Sequence, residues 1–190
     1  QNSRQRCYVC KKLMFAAIAA EAEKYGIRHL AHGANRDDEA DFRPGLQACR
    51  EIGVLEPLAA AGLTKADIRA LSRMAGLSTW DKPASGCLAT RIPYGTPITR
   101  ESLGRIARAE QALVSEGFAG SRVRLHGDLA KIEVPPDDLL RIMQPGSRAR
   151  IVSALRRIGF LYVTLDMEGF ASGRLNRAGE AAASEGDAPE

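Results

Sequence analysis

Aromatic side chains make up only 5% of this 190-residue chain, and Trp80 is its one tryptophan. No Lys/Arg run interleaved with aromatics is present, so net charge is all that would recommend a nucleic-acid partner, and none is expected. No apolar run approaches the length of a membrane span. The chain also does not open on a charged segment followed by an apolar one. A cytoplasmic protein without membrane partners is the expectation. Four cysteines are too few for a secreted disulfide scaffold of this length. Histidine is scarcer still, at three residues. With no second C-x-x-C and no H-x-x-x-H, a closed four-ligand zinc site would have to recruit Cys49 or a histidine.

What is present is an ordinary globular composition, 45% hydrophobic and 26% charged, enough for one large or two small domains. The formal net charge of +4 suits an anionic partner. Arginines and glutamates alternate along the presumed helices, however, as on solvated faces. A phosphorylated small molecule accounts for the surplus as well as a polyanion does.

The chain opens on Gln1 with a helix and a metal-type motif and no leading strand, which is expected of the back part of a larger domain. Ala-rich Lys11–Lys24, closed by Gly26, predicts a helix. Ile27–Ala31 reads as a short strand, left by the loop His32-Gly33-Ala34-Asn35. The polar stretch to Gly45 then lies at the strand's carboxyl end, where open α/β sheets bind ligands. Leu46–Ile52 and Lys65–Ala75 follow as helices, the second opened by a capping box of Thr64 and Asp67. This cadence predicts a parallel α/β layer over residues 1–94.

Beyond a boundary near Tyr94–Pro97 the texture changes to a small α+β domain, residues 95–177. Thr99 caps a helix over Arg100–Glu116. Ser121–His126 and Leu129–Val134 form a hairpin turned by Gly127-Asp128. Helices are predicted from Pro135 to Met143 and over Ser147–Ile158, then an apolar strand over Phe160–Asp166. Residues 178–190 lack large apolar side chains and read as a disordered tail.

The chemistry concentrates in cysteine. Cys7 and Cys10 form a C-x-x-C pair, and Cys87 stands in a loop rich in turn residues. Thiolate is a soft-metal ligand and a nucleophile, so the trio points to an iron–sulfur or zinc site or to sulfur chemistry, with a redox dithiol as the plainer alternative. A thioredoxin-like motif needs a strand before the pair, and none precedes Cys7. Three thiolates around an iron–sulfur cluster would leave one iron open, and they are expected to lie within a few ångströms of one another. Cys49, on a helix among apolar neighbours, reads as core. His29 and His32 flank a strand end and read as structural.

Alternation puts Arg122, Arg124 and His126 on one strand face, with Arg122 opposite Glu133 across the hairpin. This is either a solvated cross-strand ion pair or a guanidinium pair that grips phosphate or carboxylate. Glu110 falls within the apolar stripe of its helix. A carboxylate there must be paired, metal-bound or facing a cavity, unless it snorkels at the stripe's edge.

These residues add up to a resemblance. Cys7-x-x-Cys10-Lys11-Lys12, Asp41-Phe42-Arg43-Pro44-Gly45, Trp80-Asp81-Lys82-Pro83-Ala84-Ser85, Arg91-Ile92-Pro93-Tyr94-Gly95-Thr96, Arg122-Val123-Arg124, Tyr162-Val163-Thr164-Leu165-Asp166 and Ser172-Gly173-Arg174 together resemble the LarE family. Its members are ATP-dependent sulfur transferases of the PP-loop pyrophosphatase superfamily. The resemblance implies conversion of a carboxylate of pyridinium-3,5-biscarboxylic acid mononucleotide into a thiocarboxylate through an acyl adenylate, a step towards the nickel-pincer nucleotide of lactate racemase. It implies ATP and magnesium as co-reactants and, in the three-cysteine members, a 4Fe-4S cluster on the equivalents of Cys7, Cys10 and Cys87 whose free iron carries an extra sulfide. Members that sacrifice a cysteine carry it one position before Cys87, where this chain has Gly86. Further implications are phosphate binding by Arg122 and Arg124, a sulfur-transfer site lined by Glu110 and Glu133, and nucleotide or acyl-adenylate contacts from Lys11, Asn35, Asp38, Thr90 and Arg91.

The family's Ser-Gly-Gly-x-Asp-Ser loop, which holds the pyrophosphate of ATP, lies upstream of the residues present here. These 190 residues alone are therefore expected to bind ATP poorly. They are also expected to expose an apolar sheet edge that associates copies into a homo-oligomer. A tRNA-thiolating PP-loop enzyme also combines a C-x-x-C with a third cysteine, but it would need a surface for a large polyanion. An inactive metal-binding fragment is the remaining alternative.

Overall fold

The computed structural model describes residues 2–40, 43–82 and 86–171. Asp41, Phe42, the Pro83-Ala84-Ser85 stretch, the Ser172-Gly173-Arg174 motif and the expected tail lie outside the described residues. The chain divides into two compact units, one from Ser3 to Ala84, the other from Ser85 onward together with Asn2. The boundary expected near Tyr94–Pro97 falls inside the second unit.

The first unit is helical. α1 spans Arg6–Glu23 and α2 Pro44–Ile52. A short α3 follows at Pro57–Ala60 and then α4 at Lys65–Met74. α1 starts earlier than its alanines predict and carries both cysteines of the C-x-x-C in its first turns. It is apolar on nearly every side: Phe15 is buried, yet Val9, Leu13, Met14 and Ile18 are exposed. A helix of that kind is typical of an interior, not of a two-sided surface position. Phe15 packs with Cys49, Val54 and Leu30 in a small core. Gly53 closes α2 in the left-handed conformation at φ 80°, as a C-terminal glycine does. The Thr64/Asp67 capping box opens α4 as the sequence predicts.

The strand expected over Ile27–Ala31 is reduced to an isolated parallel bridge between Ala31 and Leu55. Leu55 N–H donates to Leu30 O and His32 N–H to Leu55 O, at 2.8 and 3.0 Å. A single bridge is all that forms because Leu55 alone among the described residues offers its backbone to this segment as a parallel neighbour. The sense of the pairing is parallel as expected, but among the described residues of this unit it does not extend into a sheet.

The second unit holds a three-stranded sheet in the order β1-β2-β3. β1 is Arg122–His126, β2 Leu129–Glu133 and β3 Tyr162–Leu165. β1 and β2 are an antiparallel hairpin in the expected register, Arg122 opposite Glu133 and Arg124 opposite Lys131. β3 lies parallel to β2, with Lys131 opposite Thr164. That arrangement needs a crossover, supplied by a 3-10 turn over Pro136–Asp138, α6 at Leu139–Met143 and α7 at Pro145–Arg157. α5, Arg100–Ser115, is capped by Thr99, whose hydroxyl accepts Ser102 N–H at 3.0 Å. Val123, Leu125, Ala130 and Ile132 point to one sheet face and join Ile106, Leu113, Ile151, Leu155, Phe118 and Phe160 in the main core. The opposite face is left for polar side chains.

Candidate functional site

Alternation along β1 and β2 puts Arg122, Arg124, Lys131 and Glu133 on the face away from the core. Glu133 is nevertheless 0% exposed. Its Oε1 accepts Arg124 Nε at 2.5 Å and faces Lys131 Nζ at 3.3 Å, while its Oε2 is buried without a hydrogen-bond donor among the described residues. Lys131 Nζ also donates to Asp166 Oδ2, just beyond β3, at 3.0 Å. The expected cross-strand neighbours Arg122 and Glu133 thus share a register position, while the close ion pair of Glu133 is diagonal, with Arg124.

The Cys87 loop is fastened to this face. It runs into a 3-10 turn over Leu88–Arg91. The Cys87 carbonyl accepts Thr90 N–H at 2.9 Å, the Thr90 hydroxyl at 2.7 Å and Arg91 NH1 at 3.3 Å. Arg91 is buried, and its NH1 also donates to Gly86 O and Thr90 Oγ1. Its Nε and NH2 grip Glu110 on α5 at 2.8 and 3.3 Å. Glu110 Oε1 in turn accepts the Val123 N–H at 3.1 Å, and Arg124 NH1 donates to Thr90 O at 3.0 Å. The carboxylate within the apolar stripe of α5 is therefore paired, as its position demanded. A Cβ at Gly86 would stand 3.3 Å from Arg91 NH1, so a larger residue there would press on this clamp.

Arg122 donates NH1 to Gly120 O and Ser121 O at 3.0 and 2.9 Å. Burial first, and then the Arg91 charge, hold its pKa below the ordinary value. Burial, then Lys131 and Arg124, lower that of His126 in the same way. The structure thus brings Cys87, Thr90, Arg91, Glu110, Arg122, Arg124 and Glu133 together in one unit. Lys131 and Asp166 were not anticipated. The signal for Lys131 was available in the hairpin register, which sets it opposite Arg124.

The remaining candidates lie in the first unit. Cys7, Cys10 and Cys87 are free, exposed thiols, and Cys49 is buried, its thiol pushed up by burial. Three residues apart on one helix, Cys7 and Cys10 share a face. Among the described residues no group of three or more His, Cys, Asp or Glu side chains is gathered as a metal would need. Lys11 Nζ lies 5.2 Å from the Phe15 ring centroid. Asn35 and Asp38 are engaged with each other: Asp38 Oδ2 accepts Asn35 Nδ2 and N at 2.9 and 3.1 Å, and its Oδ1 meets Arg43 at 2.6 Å. His32 Nδ1 accepts Ala34 N–H, and its Nε2 is 3.4 Å from Glu56. No helix of the described residues is long and apolar enough to cross a membrane.

Fold and site together define a mixed α/β protein whose small sheet carries a buried guanidinium–carboxylate network beside a free cysteine. No protein-family model matches the chain. Curated relatives do: it is 43% identical over 176 residues to an uncharacterized protein of Synechocystis sp.. It is 38% identical over 175 residues to the pyridinium-3,5-bisthiocarboxylic acid mononucleotide synthase of Lactiplantibacillus plantarum. An uncharacterized protein of Methanocaldococcus jannaschii is 32% identical over 172 residues. These alignments cover 93%, 92% and 90% of this chain and 66%, 63% and 66% of the relatives, so the chain spans just under two thirds of their length. The chain belongs to the LarE family.

Proposed function

We propose that the chain is the sulfur-transferring part of an ATP-dependent enzyme that turns a carboxylate of a pyridinium biscarboxylate mononucleotide into a thiocarboxylate. Supporting this reading is the network that holds the Cys87 loop, through Arg91, Glu110 and Arg124, on the same sheet face as Arg122 and Glu133. Similarity to the bisthiocarboxylic acid mononucleotide synthase supplies the substrate class. A carboxylate oxygen would attack the α-phosphorus of ATP and expel pyrophosphate. A sulfur nucleophile would then form the C–S bond at the acyl carbon while the C–O bond to AMP breaks. Arg122 and Arg124 would bind the substrate phosphate; Glu133 would set the position of Arg124, and the charges of Glu110 and Glu133 would screen the mutual repulsion of the arginines. Residues 3–84 would be the late portion of a PP-loop domain, with Lys11, Asn35 and Asp38 near the nucleotide.

The sulfur source in this reading is a 4Fe-4S cluster on Cys7, Cys10 and Cys87. What supports this source is the ligand type alone: all three are free, exposed thiols and soft ligands, while among the described residues no three such side chains are gathered for a metal. When bound, it would supply the sulfide that is transferred. The chain's own residues, Thr90 and Arg91, hold the Cys87 carbonyl and with it the backbone that carries the thiol.

The test is mass spectrometry of the biscarboxylate mononucleotide after incubation with ATP, magnesium and the anaerobically reconstituted full-length protein. Exchange of a carboxylate oxygen for sulfur is expected with the native protein. Cys87→Ala should abolish it, and Arg122→Ala should raise KM with a smaller effect on kcat. Exchange that persists undiminished in Cys87→Ala would remove the three-cysteine source. No exchange, with iron and sulfide bound at full occupancy, would overturn the reading.

A further inference from the structure

We propose that Phe170 is a positioning residue for Arg122, setting the plane of the guanidinium that receives the substrate phosphate. The inference rests on the phosphate-binding reading of Arg122 given above.

An arginine on a strand has a long, freely rotating stem. Holding its fork in one orientation before a ligand arrives removes an ordering cost that binding would otherwise bear. Among the described residues, backbone acceptors and an aromatic ring restrain Arg122. Its NH1 donates to the backbone carbonyls of Gly120 and Ser121. Its Cζ stands 5.1 Å from the centroid of the Phe170 ring, within range for a cation over an aromatic face. The negative face of the ring also offsets the positive charges of Arg91 and Arg124, which act on Arg122 together with its burial.

Phe170 stands there because the backbone leaves it little choice. After β3, Asp166 N–H donates to Ile132 O at 2.8 Å. The turn is closed by Glu168 N–H on Asp166 Oδ1 at 2.9 Å and Gly169 N–H on Asp166 O at 3.1 Å. Phe170 N–H then donates to Val134 O at 2.6 Å, extending the line of β2. Gly169 adopts φ 70°, and a Cβ on it would meet Val134 O at 2.8 Å, so the turn admits glycine alone. The chain is returned to the polar side of the sheet, beside the strand pair that carries Arg122 and Glu133. Phe170 is absent from the hydrophobic core, whose large aromatic members are Phe118 and Phe160. Its ring faces a cation, so core filling does not account for it.

The experiment compares Phe170→Leu, Phe170→Trp and Arg122→Ala in the full chain. Calorimetric titration uses nicotinate mononucleotide, a pyridinium carboxylate bearing the phosphate, and its dephosphorylated nucleoside. Phe170→Leu keeps apolar volume and removes the π face. It should weaken the mononucleotide by roughly threefold to tenfold and leave the nucleoside unchanged. Phe170→Trp should restore the native preference. A merely structural Phe170 would lower the melting temperature and affect both ligands alike, and that result would overturn the proposal. If Arg122→Ala abolishes the preference for the mononucleotide while Phe170→Leu preserves it, Phe170 has no positioning role and the reading of Arg122 stands. If the native chain binds both ligands equally, the phosphate role of Arg122 falls and this inference falls with it.

Discussion

Replacing Glu110 by leucine is the sharpest perturbation of the site. The carboxylate accepts Arg91 Nε at 2.8 Å, Arg91 NH2 at 3.3 Å and Val123 N–H at 3.1 Å. The two side chains are only 6% and 16% exposed, so solvent cannot replace what is lost. Leucine would leave the Arg91 charge buried with carbonyl and hydroxyl acceptors alone and the Val123 N–H with none. Breaking one half of a buried ion pair costs about 3–5 kcal/mol, a figure that includes the abandoned partner. In a unit of this size each kcal/mol shifts Tm by about 4–8 °C, so Glu110→Leu should lower it by roughly 12–40 °C. Glu110→Gln, which retains an acceptor for Val123, should cost about half as much. The double replacement Arg91→Met/Glu110→Leu should be less destabilising than Glu110→Leu alone, since no charge is then stranded. Urea unfolding followed by circular dichroism measures all three. A loss below about 1 kcal/mol for Glu110→Leu is the range of exposed pairs and would refute the buried-clamp argument. A double variant as costly as the sum of its singles would refute it equally.

Gly169→Ala should cost about 2–4 kcal/mol, from a left-handed φ together with a Cβ 2.8 Å from the Val134 carbonyl. Gly127→Ala, at φ 60° with nothing within 4 Å, should cost only about 1 kcal/mol, and equal losses in urea melts would sink the steric part of the argument. Hydrogen bonds from Lys12 and Tyr8 hold the Glu51 carboxyl down at about 2. Because the folded value lies below the ordinary carboxylate value of about 4.3, its contribution is present above that pH and fades as pH falls towards 2. Glu51→Gln should flatten the acid limb of the unfolding profile in that window, weakly and less so at high salt, because the cluster is exposed. An acid limb of unchanged slope would contradict the assignment.

Much of the second unit was legible because its information is local. A two-residue turn at Gly127-Asp128 fixes the hairpin register, and that register fixes which side chains share the polar face. The buried carboxylate of Glu110 was legible as a problem requiring a partner, but not as one solved by Arg91. Their contact crosses 19 residues and depends on how the Cys87 loop folds against α5. The diagonal choice of Arg124 over Arg122 by Glu133 follows from side-chain reach and not from register. In the first unit the short segment Ile27–Ala31 reads as a strand, but a ladder requires neighbouring backbone as well as propensity. One bridge to Leu55 is what remains. The start of α1 was missed because Cys7, Tyr8, Val9 and Cys10 are weak helix formers individually and are carried by the alanines that follow.

Glu110 also does something for a strand that it does not belong to. β1 is the outer strand of its sheet, and a row of open amides there invites another chain to zip alongside. The Glu110 carboxylate occupies the outward Val123 amide, and the Arg124 side chain ties the same strand to Thr90. The clamp that holds the cysteine loop in place is therefore also a guard against polymerisation through β1. Loss of Glu110 would open both the site and the seam.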